Sequence, residues 1–140
     1  MRWLLSLSFG EAKGAPMVEV ESVYEPERRV RDEAIGLECR IYGHAPVQAD
    51  GRLLGHPFYF RARWSGWSFT LCNNADIDPA ALMEGDKPGM FSNGEFRGFA
   101  LWGEYGTSTE ASYMPYVIAE RLIRECASEY ARVIQSAGGE

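Results

Sequence analysis

Apolar and polar residues alternate through the middle of the chain, over residues 47–72. A period of two is typical of strands that bury one side. Two short loops, Gly55-His56 and Ser65-Gly66, divide this stretch into three parts of similar length. Two-residue loops with glycine are common hairpin connections. The pattern therefore predicts an antiparallel meander over 47–72.

The two predicted loops place the same kind of side chain on each face of this meander. The second loop pairs Trp64 with Trp67 and Phe60 with Leu71, so one face is apolar throughout. The reverse face carries Gln48, Asp50, Tyr59, Arg61, Arg63, Ser68 and Thr70. In this register Asp50 lies opposite Arg61, which predicts a cross-strand ion pair.

A second period, close to 3.6 residues, marks the C-terminal part of the chain. The apolar stripe consists of Ala119, Leu122, Ile123, Cys126, Tyr130, Val133 and Ile134. This spacing predicts an amphipathic helix over about 112–135, with Ser112 as N-cap and Pro115 in the first turn. Because the meander has an apolar face that needs covering, we expect the helix to pack on it. The fold class is therefore α+β, with an antiparallel sheet of about four to six strands.

The remaining segments are predicted from shorter patterns. Alternation predicts further strands at 3–9, 17–24, 37–42 and 99–102. The charged residues 27–35, ending at Gly36, predict a short helix. Asp78 predicts a cap for a single helical turn before Gly85. Residues 73–111 are otherwise interpreted as a long acidic connection, rich in glycine and aromatic residues.

Composition limits the range of functions. A length of 140 residues is typical of one domain, taken here as 1–140. The formal net charge of −6 argues against direct nucleic-acid binding. Three widely spaced cysteines indicate reduced core thiols, and no apolar run is long enough to span a membrane. We therefore expect a cytoplasmic location, no membrane association and no cofactor.

The acidic connection is the first candidate binding surface. Residues 73–111 hold seven acidic and two basic side chains, and from Phe96 to Tyr105 an aromatic residue stands at every third position. Aromatic anchors with a polar rim are typical of protein interfaces. The predicted partner-binding residues are Glu95, Phe96, Phe99, Trp102, Glu104 and Tyr105. Their charge favours a partner with a basic surface, and the alternative is that the rings cap the core.

The polar face of the meander is the second candidate. Tyr59, Arg61 and Arg63 form a possible anion-binding set, because guanidinium groups match phosphate and carboxylate geometry. The alternative is a solvated sheet face. Neither the acidic turn at 73–78 nor the two histidines matches a known metal or catalytic motif, so no metal ligand or catalytic residue is predicted.

Three stretches together resemble a group of small proteins encoded by phages and prophages of proteobacteria. They are Pro46 to Gly51, Phe58 to Arg63 and Trp67 to Phe69, followed by Tyr113-Met114-Pro115 at the start of the predicted helix. No activity is known for that group. The resemblance implies an accessory protein that binds and blocks a host protein. We therefore expect a non-enzymatic inhibitor; a small ligand-binding domain or enzyme, and a self-assembling phage component, are the alternatives.

Overall fold

The computed structural model describes residues 26–82, 88–92 and 96–136, which form one antiparallel sheet and one α-helix. The strands are β1 (Glu27–Asp32), β2 (Leu37–Tyr42), β3 (Val47–Leu53), β4 (His56–Arg63), β5 (Gly66–Cys72), β6 (Gly89–Ser92) and β7 (Arg97–Glu104). The helix α1 spans Tyr116–Ser136, and 3-10 helices lie at Pro79–Ala81 and Glu110–Tyr113. The α+β class is confirmed.

The sheet order is β1-β2-β3-β4-β5-β7-β6. The first five strands form a meander, which confirms the strands expected over 47–72. The last hairpin then reverses the order, because β7 pairs with β5 while β6 lies at the edge. Residues 73–111 are therefore more than a connection. They supply two strands, of which β7 extends the predicted 99–102 and β6 was not predicted.

Both tight turns of the meander lie one residue earlier than predicted. Leu53 pairs with His56 and Arg63 pairs with Gly66, so each pairing differs from the expected register by two residues. A shift of two residues preserves the face of every side chain. The faces of the paired strands are therefore as predicted, although Asp50 lies opposite Tyr59 and not opposite Arg61. Trp64, predicted on the apolar face, is instead a turn residue and is 58% exposed.

Tertiary hydrogen bonds explain the turn positions. Leu54 and Trp64 adopt φ angles of 53° and 59°, a region that large residues seldom occupy. The Leu54 N–H donates to the Gly36 carbonyl over 2.8 Å. The Trp64 N–H donates to Ser112 Oγ, also over 2.8 Å, and the Trp64 carbonyl accepts from the Ala111 N–H. These contacts join each turn to a distant segment, which local sequence patterns do not reveal.

The predicted helix over 27–35 is wrong. Residues Glu27–Asp32 form β1, and a turn over 33–36 leads into β2. The side chains of β1 alternate between the two faces, with Val30 in the core. On the same face Arg28 pairs with Glu120 of α1 at 3.1 Å. Because charged side chains occupy inward positions of this strand, apolar and polar residues do not alternate along its sequence.

Helix α1 covers the apolar face of the sheet. Ala119, Ile123, Cys126 and Tyr130 are buried in one cluster with the inward side chains of the strands, which confirms the predicted packing. The helix begins at Tyr116, later than expected. Ser112 is therefore not its N-cap but a buried residue of the preceding 3-10 helix.

Some predictions fall outside the described residues. These are the strands over 3–9 and 17–24, and the end of the helical turn at Gly85. The beginning of that turn is described: Asp78 caps the 3-10 helix by accepting from the Ala80 N–H over 3.0 Å.

Candidate functional site on the open face of the sheet

The sheet has one covered face and one exposed face. We call the exposed side the open face; it carries the strand residues that point away from α1. Arg61 and Arg63 of β4 and Trp102 and Glu104 of β7 are all exposed there. Tyr59 lies on the same face and is half-buried. The two candidate sets predicted from the sequence therefore share one surface.

Strand pairing aligns these residues in rows. Arg61 pairs with Ser68 of β5, and Ser68 pairs with Trp102 of β7. Arg63 and Glu104 flank Gly66 in the same way, one row further on. Because neighbouring strands lie about 4.8 Å apart, Arg61 and Trp102 are separated by about 10 Å across one small residue. Their long side chains thus border a shallow strip of the sheet.

Trp64 adds a second indole to this end of the face. It lies in the β4–β5 turn, is 58% exposed, and has the Arg63 guanidinium 5.3 Å from its ring centroid. This distance is within the range of a cation–π contact. We define the Trp/Arg patch as Arg61, Arg63, Trp64 and Trp102.

Arg61 has no ion pair among the residues that the structure describes. Its predicted partner, Asp50, is engaged elsewhere, because Asp50 accepts from the Tyr42 hydroxyl at 3.1 Å and lies 3.6 Å from Arg40. The predicted Asp50–Arg61 pair is therefore wrong, and its cause is the two-residue difference in register. Arg61 is left available for an external group.

Tyr59 and Gln48 form a fixed polar pair beside Arg61. The Tyr59 hydroxyl donates to Gln48 Oε1 over 2.7 Å. Burial raises the pKa of Tyr59, against a smaller lowering by the positive charge of Arg61. Tyr59 is therefore a neutral hydrogen-bonding group at pH 7, with its hydroxyl already used as a donor.

The opposite end of the open face is partly covered. The 3-10 helix Pro79–Ala81 packs on β4 and β5, and Thr70 and Cys72 are buried although they point to this face. A groove of about 480 Å³ remains between this helix and β3, lined by Tyr42, Asp50, Tyr59 and Asp78 among others. Asp50 and Asp78 contribute carboxylates to this groove and Arg52 contributes a guanidinium, whereas both charged residues of the Trp/Arg patch are arginines.

The six predicted partner-binding residues do not form one surface. Phe99 is fully buried, with its ring 5.1 Å from Tyr130 and 6.3 Å from Phe69. Tyr105 packs partly on the core. A spacing of three alternates faces along a strand, so neighbouring rings of the series point in opposite directions.

Trp102 is the ring of this series that reaches the open face, where it is 38% exposed next to exposed Glu104. Phe96 lies just before β7, half-buried and 6.5 Å from the Phe91 ring. Glu95 lies outside the described residues. Of the six predicted partner-binding residues, Trp102 and Glu104 are exposed on the open face. Trp64 was not among the predicted binding residues, although it lies beside them.

Other reactive groups lie outside the Trp/Arg patch. Cys39, Cys72 and Cys126 are free and buried, and burial raises the pKa of Cys39 and of Cys126 to about 12. His44 stacks on Tyr116 with ring centroids 5.4 Å apart. Within the described ranges, no three His, Cys, Asp or Glu side chains come together to hold a metal ion.

Because the comparisons with known proteins found no match, the function is inferred from the fold and from the Trp/Arg patch. No family model matches the chain, and neither curated proteins nor solved structures gave a match. Over the residues that the structure describes, the class is an α+β protein with one α-helix packed on one face of an antiparallel sheet. Over the described residues, no helix has the length and apolar character to cross a membrane.

Proposed function

We propose that this chain is a non-enzymatic binding domain that contacts another protein through the Trp/Arg patch. The observation that carries the proposal is that Arg61, Arg63 and Trp102 stand exposed on the face that α1 leaves open. Tryptophan and arginine are the residues most enriched at the energetic centres of protein interfaces. A partner can bury them without displacing any part of the helix.

The strands that carry the patch favour tight binding. Arg61 extends from the part of β4 that pairs with both β3 and β5, and Arg63 and Trp102 are each paired with β5. The backbone is thus ordered before binding, so association costs little further conformational entropy. Ser68 and Gly66 lie between the larger side chains and leave room for a partner to approach the sheet.

Charge gives the patch a preferred partner. The sequence favoured a basic partner because the 73–111 segment is acidic as a whole. On the open face, however, Glu104 is accompanied by Arg61 and Arg63, so this end of the sheet carries a positive excess. We therefore propose that the contacting surface of the partner is acidic, since opposite potentials accelerate association and reject wrong partners. We also propose that the chain acts in the cytoplasm and blocks a host protein. The resemblance to phage proteins supports this part of the proposal.

Affinity capture followed by titration tests the proposal. The full chain is used to capture partners from a lysate, and each partner is then purified and titrated against variants. Arg61→Glu with Trp102→Ala should weaken a genuine partner by at least about 100-fold, corresponding to two interface residues of about 1.4 kcal/mol or more each. Arg121→Glu is the matched control, because Arg121 is exposed on α1 on the other side of the sheet.

Two results would contradict this assignment. One is equal affinity of the patch variant and the wild type for every purified partner. The other is loss of binding in the Arg121→Glu control, which would move the interface to the helix. A gain of affinity on Arg61→Glu would indicate a basic partner and overturn the charge assignment alone.

A second function, anion binding, is favoured by one observation, the absence of an ion pair to Arg61 within the described part of the chain. Arg63 contacts the Trp64 ring and no carboxylate there. Tyr59 can still accept a hydrogen bond at its oxygen. Thermal shift with inorganic phosphate and with nucleotides tests this function. Stabilisation that disappears in Arg61→Ala but persists in Arg31→Ala, an exposed arginine of β1, would support it.

A further inference from the structure

A cavity lies on the other side of the sheet, beneath the C-terminal half of α1. Its volume is about 140 Å³. The apolar walls come from Leu71, Met90, Val133 and Ile134, and therefore from β5, β6 and the helix. Leu71 is 1% exposed, whereas the other three are half-buried, so the cavity has a closed floor and a partly open rim.

One polar group in this cavity has no hydrogen-bond partner in the described part of the protein. Tyr130 is only 5% exposed, and its hydroxyl receives and donates no hydrogen bond there. Its ring is held against Phe99 in an edge contact. Buried polar groups in folded proteins are nearly always paired, so an unpaired one calls for an explanation such as a ligand.

A cationic group stands at the same cavity. Arg97, at the start of β7, is exposed and lines the cavity together with Tyr130. Burial raises the pKa of Tyr130, and the positive charge of Arg97 opposes that rise. The Asn73 Oδ1 accepts from the Arg97 backbone N–H over 2.9 Å and fixes the strand at this point. A guanidinium has five N–H donors, so Arg97 can serve a ligand in addition to its contacts within the protein.

We propose that this cavity binds a small monocarboxylic acid with a compact apolar body, about the size of benzoate. The apolar body would lie among Leu71, Met90, Val133 and Ile134. Its carboxylate would accept hydrogen bonds from the Tyr130 hydroxyl and from Arg97. The cavity volume fits the ring of benzoate, because an apolar protein cavity of about 150 Å³ accommodates benzene. Charge agrees as well, because arginine and carboxylate form strong, directed hydrogen bonds.

This site differs from the Trp/Arg patch in both place and chemistry. The patch lies on the open face, whereas Tyr130 belongs to the buried side of α1. A ligand here would add contacts between the helix and β5 to β7. Its presence would therefore stabilise the packing of the helix end without touching Arg61 or Trp102.

Titration of the full chain with benzoate, followed by two-dimensional NMR, tests the proposal. Acetate supplies the carboxylate without the ring, and benzyl alcohol supplies the ring without the charge. We expect saturable shifts at Leu71, Val133 and Ile134 with a benzoate Kd of about 1 mM or tighter, a range set by the efficiency of such small ligands. Acetate should give no saturation.

Three variants complete the test. Arg97→Gln should weaken benzoate about tenfold but change benzyl alcohol less than about twofold, since only the charge-assisted bonds are lost. Tyr130→Phe should weaken benzoate several-fold, because it removes one hydroxyl and no apolar surface. Arg121→Gln, on the exposed side of α1, should bind as the wild type. Shifts that do not saturate, or equal benzoate affinity in all three variants, would overturn the proposal.

Discussion

Replacement of Phe99 by alanine should destabilise the fold more than replacement of Trp102. Phe99 is fully buried in β7, whereas Trp102 is three residues further along the strand and points to the open face. A buried aromatic side chain covers about 150–250 Å². At about 25 cal/mol per Å², its removal costs about 4 kcal/mol, in agreement with the range of about 3–5 kcal/mol for such substitutions.

Trp102→Ala leaves no interior cavity, because water replaces the exposed part of the indole. Because the indole is 38% exposed and part of it packs on the sheet, we expect Trp102→Ala to cost about 2 kcal/mol. Phe99→Leu, which keeps most of the volume, should cost less than about 1.5 kcal/mol. The three variants thus separate loss of packing from loss of aromatic character.

Urea unfolding followed by far-UV circular dichroism measures this difference without dependence on tryptophan fluorescence. With a slope of about 2 kcal/mol per M, the midpoint should fall by about 2 M for Phe99→Ala and about 1 M for Trp102→Ala. An equal fall for the two variants, or a larger one for Trp102→Ala, would mean that β7 presents its other side to α1. The open face and the cavity would then both be placed wrongly.

Three further predictions concern close packing, pH and thiol reactivity. Gly51→Ala should lower the unfolding midpoint severely, because the new Cβ would clash with the Glu38 carbonyl oxygen of β2. The new Cβ of Gly55→Ala meets no atom within 4 Å, so this variant should lose only about 1 kcal/mol of stability, through the strain of its positive φ. The hydrogen bond from Arg124 lowers the pKa of Asp32, so its stabilisation is fully present above the ordinary carboxyl pKa of 3.8 and is lost as pH falls through the lower pKa of the folded state. Asp32→Asn should flatten the curve of stability against pH in that acidic range, and an unchanged curve would contradict this. Cys39 and Cys126, with pKa values raised to about 12, should not react with a disulfide reagent at pH 8 in the native protein but should react in urea, and rapid native labelling would contradict their burial.

Periodicity predicted the helix and the two sides of the meander well. The α1 stripe is regular over more than four turns, so tertiary context had little to override. The meander faces were robust for a different reason, because an error of two residues in register leaves the side chains of the paired strands on their predicted faces. Trp64, which the shift moves into the turn, is the exception. The turn positions were wrong, since Leu54 and Trp64 are held at positive φ by backbone contacts with residues distant in sequence.

Strand β1 and the candidate site show what single-sequence patterns miss. In β1 the inward positions include Arg28 and Asp32, which are paired with Glu120 and Arg124 of α1. Such pairs hide the strand from any hydrophobicity pattern. Arg61 and Arg63 were placed on the correct face. Their juxtaposition with Trp102 depends on the pairing of β7 with β5, and no local signal specifies that pairing.

The two margins of the sheet are protected in different ways. Among the described strands, β1 and β6 are the outermost. Five of the six residues of β1 are charged, which discourages the addition of a foreign strand. Strand β6 carries no charge but has only four residues. Templated growth into fibrils is therefore opposed by electrostatic repulsion at one margin and by brevity at the other. A peptide that pairs with β6 would find only four residues of backbone to copy.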